Sequence, residues 1–145
     1  IFYLYGSQDI NNPDNIADKK IKKIKIKNFF NFMGEEKNIQ FFLNRFDIAC
    51  LPSYREGLPR SLLESLASKL PVVTTSVPGN QDMVKNNYNG FKVPKSNPEN
   101  LSNVLEKLIL DKNLRIKMGK NSLMFCEAKF SINIIHKKLN KIFKC

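Results

Sequence analysis

The chain has 145 residues, with 24 Lys and Arg against 13 Asp and Glu and a formal charge of +11. That length suits a single domain, and no apolar run approaches the ~20 residues of a membrane-spanning helix. The 3 cysteines are scattered without Cys-x-x-Cys spacing, so neither a disulfide framework nor a zinc site is suggested.

Taken in chain order, residues 1–5 read Ile-Phe-Tyr-Leu-Tyr, an apolar strand followed by Gly6. Residues 11–15 have loop composition. From Lys19 to Lys27 lysines interleave with isoleucines. A half-buried helix leading into a strand accounts for that run without a partner. Of the partners that suit its charge, an anionic membrane surface comes before nucleic acid, for which no binding motif is present.

Strand-like runs follow at 29–33, 46–51 and 71–75, with Pro52 closing the second. Cys50, inside the second run, reads as a core thiol. A helix begins at Pro59, whose missing N–H and preset φ suit the first helical position. Residues 85–90 read as a loop. Three helical stretches close the chain. Pro98–Leu110 carries Leu101, Val104, Leu105 and Leu108 at helical spacing, with Ser96 or Asn97 as its cap. Residues 113–120 are also periodic, and 132–143 bear an apolar stripe of Ile135, Leu139, Ile142 and Phe143 that reads as core, part of it left exposed. His136, beside Lys137 and Lys138, reads as solvated surface. Strands alternating with helices predict a three-layer α/β domain with a parallel sheet, in which ligands bind beyond the carboxyl ends of the strands.

The most informative turn lies at such an end. Residues 53–64 read Ser-Tyr-Arg-Glu-Gly-Leu-Pro-Arg-Ser-Leu-Leu-Glu. A helix start carries unpaired donors and partial positive charge, so the amides of Gly57 and Leu58 suit a phosphate, and glycine lets it come close. Glu56 in the turn and Glu64, roughly 7.5 Å into the helix, bracket that start. Carboxylates are strong acceptors for the paired hydroxyls of a sugar or a ribose. Arg60 would either stabilise leaving-group charge or pair with Glu64 four residues on.

These residues resemble the donor-binding half of the family-4 glycosyltransferases of the GT-B fold, whose Glu-x7-Glu pattern falls on Glu56 and Glu64. The likeness continues through Pro71-Val72-Val73-Thr74-Thr75, Val77-Pro78-Gly79 and Asn89-Gly90-Phe91-Lys92-Val93-Pro94 to Leu114-Arg115 and Met118-Gly119. Asn12-Pro13 with Ile16 is similar to a segment of the capsule and lipopolysaccharide branch. The resemblance implies a Rossmann-like donor domain. It further implies transfer of a sugar, with retention of configuration, from a nucleotide donor such as a UDP-sugar to a glycan or lipid-linked acceptor in bacterial surface polysaccharide synthesis. It implies that Glu56, as the catalytic carboxylate, contacts donor-sugar hydroxyls. The backbone of Gly57, Leu58 and Pro59, with Arg60, would approach the diphosphate, Glu64 would hold the ribose, and Met33 and Gly34 would lie against the base. Core packing is the plainer expectation for Phe32 and Met33. No Asp-x-Asp occurs, so metal-independent chemistry without a cofactor is expected.

The chain also departs from that pattern. Lys69-Leu70 stands where the family has a glycine ending the helix, and Asp82 stands where it often has glutamate. Residues 1–145 are expected to be one donor-binding domain without its first βα unit or the N-terminal acceptor domain. The expected location is cytoplasmic, or peripheral at the inner face of a membrane. A non-catalytic remnant and a nucleotide-sugar epimerase of related fold are the alternatives.

Overall fold

The computed structural model describes residues 1–7 and 29–143, and the chain divides into two compact units, Ile1–Ile39 and Gln40–Cys145. The readings at 11–15 and 19–27, and the similarity at Asn12-Pro13 and Ile16, fall outside the described residues.

In the first unit, strand β1 (Phe2–Tyr5) pairs in parallel with β2 (Phe30–Gly34), Phe2 opposite Phe30 and Leu4 opposite Phe32. Phe2 and Phe30 stack with ring centroids 5.6 Å apart, the cross-strand aromatic pairing that favours a sheet. At the carboxyl ends the Gly6 N–H donates to the Gly34 carbonyl at 2.8 Å, and Gly34 turns the chain at φ 74°. That left-handed conformation suits glycine.

The second unit contains α1 (Gln40–Leu43), β3 (Ala49–Leu51), α2 (Arg60–Ala67), β4 (Val72–Thr75), β5 (Gly90–Val93), α3 (Pro98–Leu110), α4 (Lys112–Phe130) and α5 (Ile132–Ile142). Its sheet has the order β3-β4-β5 and every pair is parallel. Consecutive residues of a strand face opposite ways, and β4 shows why helices cover both faces. Val72 packs with Leu62 and Leu66 of α2, whereas Val73 packs with Leu108 of α3 and Met118 of α4. The α/β class with parallel strands is the one expected from the sequence.

Several boundaries differ. β3 starts at Ala49 rather than 46, because the Phe46 N–H closes a turn on the Leu43 carbonyl at 3.1 Å. Cys50 is exposed rather than a core thiol, because Ala49 and Leu51, which face the other way, are the β3 residues that pack on the Leu62 and Leu66 cluster. β5 falls on residues that the sequence marks only by their family motif, Asn89-Gly90-Phe91-Lys92-Val93-Pro94. α4 runs to Phe130 instead of stopping near 120. It changes its buried side, from Leu114 and Met118 to Phe125, Cys126 and Phe130 in the other cluster, so no single stripe marks it. α5 buries none of its residues, and its stripe is exposed rather than core, with Ile142 at 73%. His136 is exposed, as expected.

α2 ends without glycine. The Leu70 N–H reaches the Ser65 carbonyl and the Lys69 N–H the Leu66 carbonyl, each at 3.1 Å, which is the Schellman pattern of bonds. Lys69 itself takes the left-handed position, at φ 59°. Gly119 of α4 packs on the same turn, and a Cβ there would overlap the Lys69 carbonyl. At the other end of the unit, Asn97 caps α3 by accepting from the Asn100 N–H at 2.9 Å. Arg115 Nη1 donates to the Leu108 and Ile109 carbonyls at 2.8 Å each, closing the last turn of α3.

Candidate functional site

The turn of interest leaves the sheet at Pro52 and is fastened to β4 by two consecutive threonines. The Thr74 hydroxyl donates to the Leu51 carbonyl at 2.8 Å, and the Thr75 hydroxyl donates to the Ser53 carbonyl. The Ser53 hydroxyl in turn donates to Glu56 Oε1 at 2.6 Å, in the short range typical of a hydroxyl on a carboxylate. From the other side Gly79, at φ 83°, lies against Glu56 and Gly57. A Cβ there would overlap the Gly57 carbonyl and crowd that of Glu56. Behind this contact Asn80 is fully buried, and its amide nitrogen donates to Thr75 Oγ1 at 3.4 Å.

Helix α2 begins one residue later than expected. Pro59 is its N-cap rather than its first helical residue, because its ψ of 116° is extended. Proline offers no side-chain acceptor, so no side chain caps the helix, while the Pro59 carbonyl accepts from Leu62 at 3.1 Å and Leu63 at 3.3 Å. The N–H groups of Arg60 and Ser61 therefore belong to an uncapped first turn. Among the described residues none accepts from the N–H of Gly57 or Leu58 either.

Glu56 is half-buried, Gly57 is exposed, Leu58 is 58% exposed, and Pro59 is buried under the turn. Glu64 is the fifth residue of α2, on the helix as expected, and Arg60 Nε donates to its Oε1 at 2.9 Å. The Arg60 side chain is 86% exposed and that of Glu64 22%, so this is an ordinary helical ion pair worth a few tenths of a kcal/mol. Both carboxylates are thus presented around the same uncapped helix start.

Met33 and Gly34 belong to the first unit, at the carboxyl end of β2, and both are exposed, Met33 by 49%. Core packing therefore does not account for Met33. Phe32 is half-buried beside Phe30, with ring centroids 5.3 Å apart. Asp82 is exposed, in a turn rather than at a helix cap. Among the described residues no three His, Cys, Asp or Glu side chains gather in a way that could hold a metal ion.

Sequence reasoning missed a neighbouring feature. An open hollow of about 370 Å³ lies at the carboxyl ends of β3, β4 and β5, lined among others by Ser53, Tyr54, Thr75, Pro94, Ser96 and Asn97, while Glu56, Arg60 and Glu64 stand outside its lining. The available signal was the cap sequence Ser96-Asn97-Pro98 falling just after a strand, which brings a helix start to the ligand-binding edge of the sheet.

The sequence pattern described as "Glycosyl transferases group 1" matches residues 8–123. The chain belongs to this family. Over 102 residues it is 36% identical to the capsular polysaccharide biosynthesis glycosyltransferase CapM of Staphylococcus aureus, covering 70% of this chain and 27% of CapM. Over 112 residues it is 30% identical to N,N'-diacetylbacillosaminyl-diphospho-undecaprenol alpha-1,3-N-acetylgalactosaminyltransferase of Campylobacter jejuni, covering 77% of this chain and 30% of that protein. The chain therefore spans about 30% of the length of these relatives. The crystal structure of HepE from Anabaena in complex with UDP superposes with a TM-score of 0.88 at 19% identity, over 98% of this chain and 40% of HepE. That likeness gives the group 1 fold its α/β, GT-B architecture, in line with the parallel sheets described above.

Proposed function

We propose that the chain is the donor-binding domain of a retaining, metal-independent glycosyltransferase that takes a nucleotide sugar, with a UDP-sugar as the leading donor. The observation that carries this reading is the pair Glu56 and Glu64 around the uncapped start of α2, within a group 1 match. The free backbone donors of the first turn suit a diphosphate, with Arg60 as the adjacent cation. Glu56 accepts from hydroxyls of the donor sugar and Glu64 from the ribose, where a carboxylate gives a stronger hydrogen bond than a neutral acceptor. Arg60 swings from Glu64 toward the diphosphate when the donor is present.

The acceptor in this reading is a glycan or a lipid-linked glycan of bacterial surface polysaccharide synthesis. The undecaprenol-linked acceptor in the name of the Campylobacter relative supports it. The cationic excess of the chain suits work at the anionic inner face of a membrane. Among the described residues no helix is long and apolar enough to cross one. The family match favours transfer over epimerisation.

The test is calorimetric titration of the 145-residue chain with UDP, UDP-glucose, UDP-galactose, UDP-N-acetylglucosamine and GDP-mannose. Saturable binding of one of these donors, tighter than that of its bare nucleotide, is the expected result. A folded sample that binds none of them would overturn the donor-site reading and leave a non-catalytic remnant.

A further inference from the structure

We propose that Ser53 is a positioning residue for the Glu56 carboxylate, and that Thr75 and Asn80 hold Ser53 in place. This inference rests on the donor-sugar role given to Glu56 above and adds residues that the Glu-x7-Glu pattern does not contain. A glutamate on a turn has three rotatable bonds and an acceptor at each of two oxygens, so an unrestrained Glu56 would spread over many orientations. The Ser53 hydroxyl engages Oε1 at 2.6 Å. Oε2, which has no partner among the described residues, is left to meet a sugar hydroxyl.

Ser53 can do this only if its own backbone is fixed. Its carbonyl accepts from the Thr75 hydroxyl, which belongs to the last residue of β4 and is buried. The same Thr75 oxygen accepts from the buried amide of Asn80. Thr75 thus gives its one proton to Ser53 and accepts from Asn80, at 3.4 Å, on one of its two lone pairs, so the two contacts together orient its hydroxyl toward the Ser53 carbonyl. The chain of donors runs from Asn80 through Thr75 to the Ser53 backbone and then, through the Ser53 hydroxyl, to Glu56. Gly79 supports the Glu56 and Gly57 carbonyls from the same β4–β5 connection. Position 53 is therefore tied to the rigid end of a strand, and it carries that rigidity to the carboxylate.

The experiment compares wild type, Ser53→Ala, Ser53→Thr, Glu56→Ala and the double variant Ser53→Ala with Glu56→Ala. Each is titrated with UDP and with UDP-glucose, UDP-galactose and UDP-N-acetylglucosamine, and its thermal midpoint is recorded. The readout is the ratio of the UDP-sugar affinity to the UDP affinity. Ser53→Ala is expected to lower that ratio roughly five- to tenfold, less than the full loss of a hydrogen bond to a charged group because the Glu56 carboxylate itself remains, with UDP affinity unchanged. Ser53→Thr, which keeps the hydroxyl, restores it, and the double variant is no weaker than Glu56→Ala alone. If Ser53→Ala leaves the ratio intact, or lowers UDP and UDP-sugar affinity alike, the positioning role is wrong while the donor site stands. A wild-type chain that binds UDP-sugars no better than UDP would remove both the role of Glu56 and this inference.

Discussion

Gly79 lies so close to the backbone carbonyl of Gly57 that a methyl group on it would overlap that oxygen. The two glycines are the contact between two turns that follow neighbouring strands, β3 and β4. Through it the β4–β5 connection holds the turn that presents Glu56.

Gly79→Ala meets two obstacles, a φ of 83° and the Gly57 carbonyl. A strained left-handed residue and an overpacked contact each cost about 1–3 kcal/mol. The variant should lose about 2–6 kcal/mol of stability in a urea titration, together with its UDP-sugar affinity. A midpoint equal to that of wild type would mean that the two turns do not touch.

Glu64→Ala separates fold from ligand. Its only described partner is the exposed Arg60, so the protein should lose no more than about 0.5 kcal/mol. A ribose hydroxyl on a carboxylate is worth about 1.5–3 kcal/mol, so UDP affinity should fall about ten- to a hundredfold. Calorimetry with UDP decides it, and an unchanged Kd removes the ribose role.

Lys69→Gly should stabilise the protein. A side chain at φ 59° costs about 1–2 kcal/mol, and the extra freedom glycine brings to the unfolded chain takes back about 0.4–1 kcal/mol. The net gain, between about 0 and 1.6 kcal/mol, corresponds to a rise in Tm of up to several degrees. Calorimetric melting showing a lower Tm would contradict the Schellman ending of α2.

Arg115→Ala removes two hydrogen bonds to the last carbonyls of α3 and a 3.4 Å ion pair with the exposed Asp47. The carbonyl bonds dominate, since the ion pair has an exposed partner. A loss of about 1–3 kcal/mol is expected in the denaturant midpoint. Asp47→Ala serves as the control and should change it by less than about 0.5 kcal/mol. Equal losses for the two variants would shift the main role of Arg115 to the ion pair.

The features legible in the chain alone are local. The spacing of Glu56 and Glu64, the bounds of α3 with its Asn97 cap and the alternation of strands with helices depend on residues a few positions apart, whose backbone preferences act within one element. Even there Pro59 came one residue off, because whether proline opens the first turn or precedes it is set by its ψ. The tertiary structure decided what depends on distant partners. Thr75 reaches Ser53 across 22 residues of sequence, Gly79 meets Gly57 across a strand and a helix, and α4 exchanges one buried face for another because it packs against both layers. No periodicity carries such contacts. They arise only when parallel pairing brings the ends of β3 and β4 side by side.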